Sequence, residues 1–161
     1  MAVVSIPDST RHPLDVESDW VVLHWQSLIM ALPQSQVRSI ELASEASRSL
    51  PSEVASGWLT IGDQPPVPVF HFDDRFRLTR GHLQSGFIVV LDLEPAWGLW
   101  GEAVNVVKAG DSLTAVSLPP IFRQNGSPLD GLAASNNGQP VMLTSAAQLQ
   151  QLVSSHWSGG R

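Results

Sequence analysis

The residues best suited to chemistry are His71, Asp73 and Asp74, which lie close together in the chain. His71 and Asp73 are two positions apart and would share one face of a strand, and imidazole and carboxylate groups both bind divalent metals. A third ligand would come from another segment, with His82 and Glu94 as candidates. The alternative is a strand end with solvated charges and an aspartate turn, which is the commoner use of such residues. If these residues do bind a metal, the chain would be a small metal-dependent β-barrel enzyme, and we keep this as a second hypothesis for its function.

A second pair of acidic residues, Asp92 and Glu94, has the same spacing. Paired carboxylates do acid–base chemistry where burial separates their pKa values. Pro95 follows at once, so we expect this pair on the surface, where a strand leaves the core. The chain has no cysteine and none of the usual phosphate-binding, dinucleotide-binding, zinc-protease or serine-hydrolase motifs. The sequence therefore favours a protein without catalytic residues, without a metal and without a cofactor, and the metal-dependent enzyme is the alternative.

The composition is that of a folded chain with little affinity for polyanions. Of the 161 residues, 43% are hydrophobic and only 15% are charged, whereas disordered chains combine low hydrophobicity with high charge. The 9 basic residues are outnumbered by 15 acidic ones and form no phosphate-binding cluster. No apolar run approaches the ~20 residues of a membrane helix, and the first residues lack the features of a secretory signal. We therefore expect no nucleic-acid partner, no direct membrane insertion and a cytoplasmic location.

Short apolar segments separated by Gly, Pro, Asn and Asp predict an all-β chain. Residues 20–25 and 28–32 predict a hairpin. Residues 58–61 and 67–72 predict a second strand pair around a turn rich in Gly and Pro. Because Pro68 cannot donate to a ladder, we expect its strand at a sheet edge, or its nitrogen turned away from a neighbour.

The later part of the chain continues this pattern and ends in a helix. Residues 87–93 are almost continuously apolar, which predicts a strand buried on both faces. Residues 99–107 predict its partner, interrupted at Gly101. An Asn-Gly step at residues 137–138 is a strong hairpin signal between the last two strands. Ser145 predicts the N-cap of a C-terminal helix.

The pattern divides the chain into three regions and leaves one segment ambiguous. We predict a mobile N-terminal arm at residues 1–18, one domain at residues 19–153 and a flexible tail at residues 154–161. Residues 34–50 have a weak helical period, whereas residues 38–42 alternate as a strand does. The pattern alone slightly favours a helix there.

Taken in order, the predicted strands resemble the CheW-like domain, an adaptor module of bacterial chemotaxis arrays. The likeness extends over about residues 19–153. Four stretches carry it: residues 29–40, 50–61, 67–72 and 98–107. They are similar to the family patterns "alpl..V.ei", "lP..v.Gvinl", "vvPvidl" and "Gllvd.v..v". Each pattern alone is weak, so the resemblance depends on their order and spacing.

The resemblance implies a fold and a function. The implied fold is all-β, with two SH3-like five-stranded β-barrels that share a core and a short C-terminal helix, and residues 37–42 form a strand in it. The implied function is that of a non-catalytic adaptor that couples chemoreceptors to a CheA-type histidine kinase. The pathway would be chemotaxis or an alternative one, such as the control of type IV pili. The implied partners are the kinase regulatory domain and the cytoplasmic tip of a chemoreceptor.

The same resemblance points to five protein-binding residues. It implies that Val37, Ser39, Gly62 and Asp63 contact the receptor and that the turn leading to Val67 contacts the kinase. The family usually has Arg-Gly where this chain has Gly62-Asp63, and an acidic residue where it has Ser39. An acidic side chain in place of a basic one reverses the charge that a partner meets. The chain therefore resembles a divergent member of the family.

Overall fold

A computed structural model describes the chain over residues 19–25, 28–47, 55–73, 77–79, 81, 83, 85–108, 114–116, 131–134 and 138–157. The predicted arm, residues 1–18, lies outside these ranges, and so do residues 158–161 of the predicted tail. Asp74 and His82 of the candidate metal site also lie outside the described residues.

The described residues form twelve strands, two short 3-10 turns and one α-helix. The strands are β1 (Trp20–Trp25), β2 (Leu28–Pro33), β3 (Val37–Leu42), β4 (Gly57–Leu59), β5 (Val67–Phe72), β6 (Leu78–Thr79), β7 (Phe87–Leu91), β8 (Gly98–Gly101), β9 (Ala103–Val107), β10 (Thr114–Val116), β11 (Gly131–Ala134) and β12 (Pro140–Leu143). The 3-10 turns are Gln34–Gln36 and Ala43–Glu45, and helix α1 is Ala146–Trp157.

The first sheet has the strand order β10-β11-β12-β2-β1-β9. β1 and β2 form the predicted hairpin, with Trp25 opposite Leu28. β11 and β12 pair on either side of the predicted Asn-Gly turn, with Ala134 opposite Pro140. β12 then runs parallel to β2, so the late hairpin extends the sheet that the early hairpin begins. Both predicted hairpins are confirmed.

The second sheet follows the path β3-β7-β8-β5-β4, with the two-residue strand β6 attached to β5. This path curls back on itself. Ser47, which follows β3, exchanges two backbone hydrogen bonds of 2.7 Å with Trp58 of β4. The chain that leaves one end of the strand order is therefore joined to the strand at the other end, as barrel closure requires. The predicted all-β fold with a C-terminal helix is confirmed.

Residues 37–42 of the ambiguous segment form strand β3, as the resemblance implied, so the slight preference for a helix was wrong there. From Ser39 to Leu42 each residue pairs with β7, the apolar strand that the sequence predicted. A helix here would satisfy its own backbone but would leave the adjoining edge of buried β7 without hydrogen-bond partners, which is costly. Long-range pairing therefore outweighs the weak local period.

Of the two expectations for Pro68, the edge position is not the one observed, because β5 lies between β8 and β4. The parallel pairing of β5 with β8 begins at Val69, one residue after the proline. The missing N–H therefore falls where that ladder has not yet begun, in agreement with the other expectation for this residue.

Strand β1 lies between two hydrophobic clusters and contributes side chains to both. Val21, Leu23 and Trp25 face the larger cluster, which also contains residues of the second sheet and of α1. Trp20 and Val22 alternate with them and face a smaller cluster within the first sheet. This two-residue period allows one strand to contribute to both cores, because successive side chains point to opposite faces.

Helix α1 begins as predicted. The Ser145 hydroxyl accepts a hydrogen bond of 3.2 Å from the backbone N–H of Gln148, which makes Ser145 the N-cap. The Ala146 N–H donates to the side-chain oxygen of Gln36 at 2.7 Å, so the turn between β2 and β3 also satisfies the helix terminus. The helix runs to Trp157, four residues into the region predicted as a tail.

Candidate docking surface

Three large apolar side chains are well exposed among the residues that the structure describes. Ile40 is 39% exposed, Leu42 is 51% exposed and Val106 is 41% exposed. They lie on β3 and β9, the outermost strands of the second and the first sheet respectively. Single exposed apolar residues are common, but here all three lie on sheet margins, which is the kind of place where partners bind.

The register shows which face of the second sheet carries Ile40 and Leu42. A side-chain carbon at Gly101 would lie 3.3 Å from Leu23, so this face of β8 looks towards β1 of the other sheet. Gly101 is opposite Phe87, and Phe87 is opposite Leu42. Directly opposed residues in antiparallel strands share a face. Leu42 and Ile40, two residues earlier, are therefore on the face directed towards the first sheet.

Val106 occupies the corresponding position on the first sheet. It lies opposite Val21, which is on the same side of β1 as Leu23. The exposed apolar side chains therefore lie at the margins of the contact between the two sheets, where the shared core opens to solvent.

The backbone of β3 is also open on its outer side. The N–H of Ala43 donates to the Gly86 carbonyl at 3.1 Å and so points towards the β7 side. Because backbone groups alternate along a strand, the N–H and C=O of Ile40 and Leu42 point away from β7. Over the described part of the chain, no strand pairs with that side of β3. We call Arg38, Ile40, Leu42 and Phe87, with this free backbone, the β3 edge.

The carboxylate pair that the sequence placed on the surface lies at the end of this edge. Arg38 forms an ion pair of 3.2 Å with Asp92 and one of 3.8 Å with Glu94. All three side chains retain solvent exposure, which confirms the surface position. These charges form a polar rim beside the apolar residues, as at many protein interfaces.

The five residues predicted as contacts do not form one patch. A β-bulge places Val37 opposite Leu91 and Ser39 opposite Val90, so Val37 and Ser39 lie on different faces of the second sheet. The Ser39 hydroxyl is buried and has no hydrogen-bond partner.

The other predicted contacts lie at the opposite end of the strand order, around the turn after β4. Gly62 has a φ of +55°, which favours glycine, and both Gly62 and Asp63 are exposed. The turn is closed by a hydrogen bond of 3.1 Å from the Gln64 N–H to the Ile61 carbonyl. Val67 is only 5% exposed and packs in the larger core, so its side chain is not on the surface.

Sequence reasoning missed Ile40 and Leu42. Their signal was present, because residues 38–42 alternate and place both side chains with charged Arg38. Apolar residues on such a strand are ordinarily assigned to the core, however. Only the position of β3 at the end of its sheet shows that this face is uncovered.

Two residues of the candidate metal site, His71 and Asp73, are engaged with other groups. The Asp73 carboxylate accepts hydrogen bonds of 2.9 Å from the backbone and the side chain of Arg77. The His71 ring packs edge-on against Trp100, with centroids 4.5 Å apart. Within the described ranges, no group of three or more His, Cys, Asp or Glu residues could hold a metal ion.

His71 is nevertheless an unusual histidine. Its Nδ1 atom is buried without a hydrogen-bond partner. Burial lowers its pKa below the ordinary 6.5, and the charges of Asp73 and Glu102 only partly oppose this. The folded chain therefore favours the neutral ring.

Stability is expected to fall as the pH drops below about 6.5, because the unfolded chain then binds a proton at His71 more readily than the folded chain does. The stabilising contribution of the neutral ring is complete above 6.5 and declines towards the lower pKa of the folded state. Urea unfolding of the wild type and of His71→Gln at pH 7.5 and pH 5.5 checks this. The advantage of the wild type over the variant should shrink at pH 5.5, and a difference independent of pH would contradict the assignment.

Comparisons with known proteins identify the fold. No family model matches the chain, and no curated protein matches it. The arrangement of the two sheets is that of a CheW-like fold. The crystal structure of the scaffolding protein TtCheW from Thermoanaerobacter tengcongensis is similar to this chain, with a TM-score of 0.58 and 19% sequence identity. The similarity covers 80% of this chain and 88% of that one.

No helix in the described part of the chain has the length and hydropathy that a membrane crossing requires.

Proposed function

We propose that this chain is a non-catalytic adaptor that couples chemoreceptors to a CheA-type histidine kinase in the cytoplasm. The observation that carries the proposal is the exposure of three large apolar side chains, Ile40, Leu42 and Val106, on the outermost strands of the two sheets of a CheW-like fold. An adaptor needs contact surfaces of this type, apolar at the centre and polar at the rim. The resemblance of the sequence motifs to the CheW-like family, seen independently of the structure, supports the same function.

The β3 edge binds the receptor tip in this proposal, and Val37 lies at its beginning. A chemoreceptor tip is a helical coiled coil, which presents apolar side chains at regular spacing along one face. Ile40 and Leu42, two residues apart on one side of a strand, offer an extended apolar contact for such a helix. The ion pairs of Arg38 with Asp92 and Glu94 are exposed to solvent, so in this proposal they lie at the polar rim of the contact and stay hydrated.

The turn at Gly62 and Asp63 is a second proposed contact with the receptor. Asp63 is exposed and presents a negative charge, so the partner surface that meets it is expected to be basic. The turn continues to Val67, where the kinase regulatory domain is proposed to bind. Because Val67 itself is buried, the exposed residues 64–66 make the kinase contact.

Binding measured by titration calorimetry tests the proposal. The full chain should bind the regulatory domain of a CheA-type kinase, or a receptor-tip fragment, from the same organism with a Kd on the order of micromolar, as transient signalling contacts do. Asp63→Lys should weaken binding of the receptor-tip fragment and invert the salt dependence of that binding, whereas Asp63→Asn should have a smaller effect. If the chain binds neither the kinase regulatory domain nor the receptor-tip fragment at about 100 µM, the adaptor function is rejected.

A further inference from the structure

Strand β3 and strand β7 are joined at both ends by backbone hydrogen bonds that do not match in register. At the start of β3 the Gln36 carbonyl accepts a hydrogen bond of 2.9 Å from the Asp92 N–H. At its end the Ala43 N–H donates to the Gly86 carbonyl at 3.1 Å. Seven steps along the chain lead from residue 36 to residue 43, whereas six lead from residue 86 to residue 92. One residue of β3 must therefore bulge between these two hydrogen bonds.

The place of the bulge determines which side chains β3 displays. The pairing shifts between Val37 and Ser39, so Arg38 is the extra residue. The two end hydrogen bonds would equally allow the extra residue to be Leu42, at the other end of the strand. Ile40 would then change its register by one residue, and its side chain would turn to the opposite face of the sheet.

The side chains next to the bulge favour the other place. The Ser39 hydroxyl is buried without a hydrogen-bond partner, which is unfavourable. Ile40 is 39% exposed, so much of its apolar surface stays in water. With the bulge at the end of β3, Ser39 and Ile40 would exchange faces, and both costs would decrease. Another contact must therefore stabilise the bulge where it is observed.

Arg38 supplies this contact. Its guanidinium forms ion pairs of 3.2 Å with Asp92 and 3.8 Å with Glu94, and it donates a hydrogen bond of 3.3 Å to the Leu93 carbonyl. If the bulge moved to the end of β3, Arg38 would be an ordinary paired residue opposite Val90, whose side chain is buried. Bringing a charged group to that face without its partners is strongly unfavourable.

We propose that the ion pairs of Arg38 hold the bulge at the start of β3, and that the bulge moves to the end of the strand when this charge is removed. β3 then has two registers that share the hydrogen bonds of Gln36 and Ala43. The observed register displays Ile40 at the β3 edge, and the other register withdraws it. The resulting loss of receptor contact rests on the proposed function, whereas the change of register does not.

Proton contacts in the isolated chain distinguish the two registers. In non-hydrogen-bonded pairs of antiparallel strands the Cα atoms lie about 4.5 Å apart, and the Hα protons are close together. Val89 is opposite Ile40 in the observed register and would be opposite Ser39 after the bulge has moved. The Hα proton of Val89 should therefore show a nuclear Overhauser contact with Ile40 in the wild type and with Ser39 in Arg38→Leu. If Arg38→Leu keeps the Ile40 contact and gains none with Ser39, the proposal is overturned.

Hydrogen exchange gives an independent readout, because a change of register reverses which amides point towards β7. The amides of Ser39 and Glu41 point towards β7 in the observed register, and the amide of Ile40 does so in the other. In Arg38→Leu, exchange at Ser39 and Glu41 should be at least tenfold faster than in the wild type, and exchange at Ile40 at least tenfold slower. Faster exchange at all three amides would show a loosened strand without a new register and would also overturn the proposal.

Two control variants isolate the role of the charge at this position. Arg38→Lys keeps the positive charge and should keep the proton contacts and the exchange pattern of the wild type. Arg77→Leu removes an arginine that is ion-paired with Asp73 at 2.9 Å, outside β3, and should also leave both unchanged. A change of register in either control would contradict the proposal. A wild-type chain that binds no receptor would reject the proposed function and would leave these measurements unaffected.

Discussion

Leu42→Asp is expected to weaken binding of the chemoreceptor tip about thirtyfold or more while the chain remains folded. Leu42 is 51% exposed, so a charged side chain at this position can stay in solvent in the free protein. In the complex, however, the carboxylate would be desolvated within an apolar contact without a partner. Losses of this size, at least about 2 kcal/mol, are typical of residues at the centre of an interface.

The measurement is calorimetric titration of each variant with the receptor-tip fragment, together with its urea unfolding curve. Ala147→Asp adds the same charge at an exposed position on α1 and should change the affinity by less than about twofold. Leu42→Val keeps the site apolar and should bind nearly as the wild type does. If Leu42→Asp binds normally, or if Ala147→Asp loses binding equally, the receptor does not use the β3 edge.

Phe70→Ala is expected to reduce the free energy of unfolding by about 3–5 kcal/mol, the range for removing a large buried aromatic ring. Phe70 is fully buried on central strand β5 and packs edge-on against Trp97, with ring centroids 5.3 Å apart. It belongs to the larger core that includes residues of both sheets and of α1. The cavity left by the missing ring would therefore weaken the packing between the two sheets. Such a loss is a large part of the stability of a typical domain.

Chemical unfolding of purified variants measures this effect. Phe70→Leu fills much of the same volume and should cost clearly less than the alanine variant. Val106→Ala, at an exposed position, should change stability by no more than about 0.5 kcal/mol. Similar losses in Phe70→Ala and Val106→Ala would show that the shared core does not dominate the stability of the fold.

Local chemistry made several elements predictable. An apolar segment on each side of a short turn predicted the β1–β2 hairpin, and an Asn-Gly step did the same for β11–β12. Ser145 predicted the start of α1 because an N-cap satisfies donors within its own first turn. In each case the deciding contacts join residues close together in sequence, so the pattern contains nearly all the relevant information.

The candidate site was less predictable than the fold. The motif resemblance pointed to Val37 and Ser39 on β3, whereas the exposed apolar residues of that strand, which carry the proposed docking surface, are Ile40 and Leu42. The bulge between Val37 and Ser39 separates these two residues onto different faces, and no feature of the sequence marks that bulge. The burial of Val67 likewise follows from its place at the start of central strand β5.

The amino-acid sequence alone determined that this protein is built from short strands, where its hairpins turn and where its helix begins, since each depends on neighbouring residues. Tertiary structure alone decided that β5 is central in spite of Pro68, and that Ser47 meets Trp58 to close the second sheet. It also decided that Ile40 and Leu42 face solvent beside the first sheet. The physical reason is that exposure depends on which strands lie alongside, and those strands come from distant parts of the chain.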